Sequence, residues 1–248
     1  MMISGATMEN IWIIDDFQGS ENVRAILEFL IPEYASLFGY ETMNSEKCRI
    51  FNNPNSDCPM LIHSDPIRIR LSQENLFYWA QTIYQLSHEL CHYAFRYHKK
   101  DKNLILSWFE EVVCEAMSLY ALKYAATNWE KCTLSKWNPN FGKSIENYLA
   151  KELIRTATYD FRECKSLLLL ERYEKLRYAE KYRESQIMER NYVYGLISSS
   201  PSDTHVLLQY THYINPTNSV TIDFSRWLAD FPCDLLRQLE IIQPVKYF

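Results

Sequence analysis

Two histidines four positions apart, His88 and His92 in the stretch HELCH, constrain this chain more than any other feature. At about 3.6 residues per turn they stand one turn apart on one face of a helix, so both imidazoles can reach a single metal ion. Glu89 is displaced by one residue. Its carboxylate can then reach a metal-bound water without becoming a third helical ligand, which is the position of a general base. The pattern calls for a helix here and for a second element that brings up a third ligand.

Leu76, Trp79, Ile83, Leu86 and Leu90 recur at helical spacing behind Ser72, a good N-cap type, which predicts a helix from Gln73 to about Tyr97. The polar HKKDKN turn (98–103) ends it, and a second helix is expected from Asn103 to about Ala126. His92 lies about two turns before that connection and Glu111 about two turns after it, so an antiparallel helix pair sets them at similar height. Glu111, eighteen intervening residues beyond His92, is therefore a candidate third ligand. His98 competes for the same role.

The combination of HELCH with Glu111 in SWFEEVVCEA resembles the gluzincin metallopeptidases, the thermolysin-like and alanyl-aminopeptidase-like families, over about Ile67 to Leu122. In those families a glutamate on the next helix completes HExxH, and eighteen intervening residues is the aminopeptidase-like spacing. The resemblance implies one zinc ion per chain held by His88, His92 and Glu111, with Glu89 as the general base. It implies that Glu115 orients the His88 imidazole through a hydrogen bond. It also implies an oxyanion donor from the C-terminal half, for which Tyr192, Tyr194, His205 and His212 are candidates. By the same analogy a peptide substrate lies extended along the strand IRIRL (67–71), expected at an edge of the sheet.

The rival spacing that ends at His98 is that of the metzincins, which need Gly where this chain has Phe95 and a Met-turn where Met117 falls in a helical segment. ATMEN at Ala6 to Asn10 is similar to the aminopeptidase motif GxMEN but lies far too early in the chain. The expected activity is accordingly that of an endopeptidase. A second reading keeps the fold as a regulatory binding protein that acts through its helical C-terminal half.

The rest of the chain predicts an α+β fold with a small N-terminal sheet at 1–126 and a helical subdomain at 127–248, packed together as one unit, and the resemblance implies that the first part is a zincin-like core. Strands are expected at IWII (11–14), CRIF (48–51), MLIH (60–63) and IRIRL (67–71), and a helix from Glu21 to about Phe38, kinked or interrupted at Pro32 and ended by Gly39. IRIRL alternates Ile with Arg, which suggests an edge strand, and Arg68 and Arg70 there would favour an acidic peptide. Further helices are expected at 144–158, 161–198, 203–214 and 223–242, and the charged run 171–184 reads as a solvated helix face.

A net charge of -5 with no dense Lys/Arg cluster argues against a nucleic-acid partner. Seven cysteines without pairing motifs suit a reducing compartment. Cys91 and Cys114, which flank the motif residues, read as small buried apolar groups rather than ligands. With neither a signal sequence nor a membrane span evident, the expected setting is cytoplasmic, the expected partner a peptide or protein substrate.

Overall fold

The computed structural model describes residues 11–99, 104–155, 167–175 and 186–243. ATMEN, the tail of the HKKDKN turn (100–103), Cys164, residues 156–158 and 161–166 of two expected helices, and most of the charged run (176–184) lie outside them. The described chain is α+β with a small sheet. Spatial proximity groups it into two compact units that interleave in sequence: Met1–Tyr97 with Ala121–Leu149, and His98–Tyr120 with Ala150–Phe248.

The first unit carries the sheet. Strands β1 (Trp12–Ile14), β2 (Cys48–Asn52), β3 (Met60–Ile62) and β4 (Ile67–Leu71) are arranged in the order β1-β2-β4-β3. β1 and β4 run parallel to β2, and β3 runs antiparallel to β4. IRIRL is therefore not an edge strand: β4 is flanked on both sides, and β3 is the outer strand next to it. The Ile/Arg alternation reports the two faces of a pleated strand, with Ile67, Ile69 and Leu71 buried and Arg68 exposed. Lateral neighbours lie in the hydrogen-bonding direction, about which alternation says nothing.

Helix α1 (Ser20–Phe38) buries Val23, Ile26, Leu30 and Tyr34, and it runs through Pro32 without interruption. Gly39, at φ 96, ends it by donating its N–H to the Ala35 carbonyl at 3.0 Å. A single turn, α2 (Tyr40–Met43), follows.

Helix α3 (Trp79–His98) starts six residues later than the apolar spacing suggests. Asn75 folds the preceding segment into a side-chain turn, its Oδ1 accepting from the Phe77 N–H at 2.9 Å. Leu76 then plugs against Gly19: a Cβ on that glycine, whose φ is 84, would come within 2.9 Å of the Leu76 Cβ. Ser72 does not cap the helix; its N–H and carbonyl bond the side chain of Gln85.

α3 is nearly enclosed from Thr82 to Phe95. The Tyr34 hydroxyl of α1 donates to the Ser87 carbonyl at 2.9 Å, and the rings of Trp12 on β1 and Tyr93 lie 4.8 Å apart. The HELCH turn is thereby wedged between α1 and the sheet. Helix α5 (Phe141–Leu153) belongs to this unit as far as Leu149.

Helix α4 (Ser107–Thr127) supplies residues to both units and is buried on almost every face from Leu106 to Leu122, as a helix of mixed apolar sequence must be when it runs through a core. The second unit adds α6 (Leu167–Lys175), α7 (Ile187–Ser199), α8 (Phe224–Asp230) and α9 (Asp234–Leu239). The expected helix at 203–214 is a 3₁₀ segment, Pro201–Tyr213, followed by a hairpin, Ile214–Asn215 with Asn218–Ile222. The expected helix 223–242 is broken between α8 and α9 because Pro232 disfavours helical backbone at Phe231, which takes φ -130 and ψ 80. No helix among the described residues is long and apolar enough to cross a membrane.

Candidate metal centre

His88, Glu89 and His92 share one turn of α3. His88 is 2 % and Glu89 1 % exposed, and His92 is half-buried. The two Nε2 atoms stand 3.1 Å apart. That separation suits two nitrogens bound to a single tetrahedral zinc, for which Zn–N is about 2.0–2.1 Å. The half-buried Glu111 on α4 completes the group: its carboxylate oxygen and the two imidazole nitrogens all lie within 4.8 Å of one another. Two imidazole nitrogens and one carboxylate oxygen so placed form a three-donor group that could hold a metal ion.

The charge of Glu89 is felt at Cys48 on β2, whose thiol is pushed up first by burial, with the Ile69 backbone opposing and Glu89 adding to the shift. Glu89 is thus enclosed in the same helical turn as the two histidines.

Glu115, one turn beyond Glu111 on α4, is buried. Cys91 and Cys114 are fully buried and stand outside the three-donor group. His98 is also outside it. α3 continues helically through the buried Phe95 to His98, with no sharp turn there, and Met117 is buried inside α4. The His98 Nδ1 lies 2.9 Å from the Gln209 Nε2, and burial, followed by the proximity of His205 and His212, lowers its pKa.

The four oxyanion candidates have separate settings. The Tyr192 hydroxyl donates to the Gln238 carbonyl at 3.2 Å, and burial raises its pKa. Tyr194 is half-buried and raised by the same cause, with a Ser198 hydrogen bond opposing. His205 and His212 are exposed on the 3₁₀ segment, the His205 Nδ1 lying 2.8 Å from the Ser202 carbonyl. None of the four is part of the donor group.

Two clusters near the motif escaped the sequence reading. The exposed His63, directly after β3, lies 2.7 Å through Nδ1 from an Arg96 guanidinium nitrogen, and Arg96 pairs with Glu46 at 3.4 Å. Arg96 follows His92 by one turn, so the end of β3 is tied to the turn of α3 that follows His92. The other cluster joins Lys99, Glu110 and Tyr210. The only local signal was the doubled glutamate of WFEE; the partners are remote in sequence.

Compared with known proteins, the chain matches no family model, no curated protein and no solved structure.

Proposed function

We propose that this chain is a zinc-dependent metallopeptidase of gluzincin type, built on a zincin-like core. The observation that carries the reading is the convergence of His88, His92 and Glu111 within 4.8 Å, with Glu89 buried in the same helical turn. A zinc ion held by those three residues would supply an acidified water and a polarised substrate carbonyl. Glu89 accepts the water's proton on its carboxylate and returns it to the departing amine, and its enclosure keeps that transfer short. Glu115, buried one turn from Glu111, is proposed to orient the His88 imidazole.

β3, rather than β4, is proposed as the strand along which an extended peptide aligns by backbone hydrogen bonds. It is the outer strand on that side of the sheet among the described residues, and the His63–Arg96 contact sets its end beside the turn that follows His92. The six described cysteines carry reduced thiols, which suits a reducing compartment such as the cytoplasm.

The test is cleavage of a peptide library by the wild type and by Glu89→Gln, with metal content measured on both. The variant is expected to keep its metal and to lose about 10²- to 10⁴-fold in rate. Metal bound in the wild type without any cleavage would overturn the peptidase reading in favour of a binding protein on the same scaffold.

A further inference from the structure

WFEE offers two adjacent glutamates, and the structure treats them differently. Successive helical residues diverge by about 100°, so the two carboxylates leave α4 in different directions. Glu110 is 4 % exposed, and both its oxygens are taken: the Lys99 ammonium approaches Oε2 at 3.0 Å and Oε1 at 3.2 Å, and the Tyr210 hydroxyl donates to Oε2 at 2.6 Å. Lys99 and Tyr210 are themselves buried. A buried ion pair with a further hydrogen bond holds tightly, because breaking it strands a charge away from water.

The same tyrosine anchors the helix start. α4 begins after Leu106, whose side chain cannot accept a hydrogen bond, so the first N–H groups need partners from elsewhere. The Leu106 N–H donates to the Tyr210 hydroxyl at 3.3 Å, and the Trp108 N–H donates to Glu174 at 3.2 Å. The Trp108 indole donates to the Val220 carbonyl at 2.9 Å. These contacts lie within about one and a half turns of Glu111.

We infer that Tyr210, with Glu110 and Lys99, is a positioning device that fixes the first turn of α4 and so aims the Glu111 carboxylate at the metal. Glu110 is withdrawn from metal competition by the same contacts. The inference rests on the reading of Glu111 as a ligand.

The experiment measures cobalt(II) affinity and the visible spectrum of the cobalt-loaded chain for wild type, Tyr210→Phe, Glu111→Ala and the double variant. Phenylalanine keeps the ring packing on Phe109, whose centroid lies 5.2 Å from that of Tyr210. Tyr210→Phe is expected to weaken cobalt binding about tenfold and to shift the spectrum, since residues behind a ligand typically contribute about 10- to 100-fold. In the Glu111→Ala background it is expected to cost nothing more, because the group it positions is gone.

Tyr213→Phe, which removes a hydroxyl bonded to Asp230 at 2.8 Å in the same unit, serves as the control and should leave affinity unchanged. Lys99→Gln taken through the same cycle tests the device without touching the tyrosine. Unchanged affinity in both variants, or losses that simply add to that of Glu111→Ala, would overturn the positioning role while leaving the metal site standing. A wild type that binds no cobalt would overturn the metal reading and this inference with it.

Discussion

The Nε2 atoms of His88 and His92 face each other across 3.1 Å, one turn apart on a helix that is closed in by α1 on one side and the sheet on another. Two ring nitrogens at that distance, with a carboxylate oxygen nearby, are arranged for a shared cation. The burial around them fixes the rotamers that make the arrangement persist.

The choice between the two candidate third ligands follows from this geometry. Glu111 lies in the donor group and His98 is engaged with Gln209. Glu111→Ala is expected to weaken zinc binding by more than about 100-fold, beyond the range for residues that merely support a ligand. His98→Ala is expected to leave it nearly unchanged. Competition against a chromophoric zinc chelator measures both, and a larger loss from His98→Ala would move the third ligand to that residue.

The sheet order makes a second prediction. Ile69 on β4 is fully buried between two flanking strands, whereas Ile62 on the outer strand β3 is half-buried. Ile69→Ala should lower unfolding free energy by about 2–5 kcal/mol through lost burial and a residual cavity. Ile62→Ala should cost clearly less. Urea denaturation of both variants decides it; equal losses would contradict the placement of β4 inside the sheet.

A third prediction concerns pH. Burial, then His205 and His212, hold His98 below its ordinary value of 6.5. As pH falls, the unfolded chain therefore takes up this proton first, so the contribution of neutral His98 is intact above about pH 6.5 and is lost as pH falls from there through the lowered folded value. The urea midpoint should drop between about pH 7.5 and about pH 5.5, and it should drop less in His98→Gln, which retains a polar group but no titration. Parallel midpoint curves for the two proteins would show that His98 carries none of the effect.

Much of the local structure was legible in the residues. The apolar spacing of Val23, Ile26, Leu30 and Tyr34 marked α1, and Gly39 marked its end. The short β-branched runs marked all four strands of the sheet. Misreadings arose where a local signal met a competing contact: Leu76 has helical spacing with Trp79 and Ile83, yet it packs against Gly19 and leaves α3 to begin at Trp79. At 223–242 the apolar period ran on, and Pro232 divided it.

The sequence by itself determined that His88 and His92 share a helical face with Glu89 beside them, because a period of about 3.6 residues is a property of the backbone alone. Tertiary structure decided what periodicity does not encode. It brought Glu111 within 4.8 Å of the two imidazoles while Lys99 and Tyr210 engaged Glu110, and it set β3 rather than β4 on the outside of the sheet. Both outcomes depend on partners distant along the chain. Side-chain spacing shows which face of an element is apolar, and only packing selects the neighbour that face, or the strand's hydrogen-bonding edge, will meet.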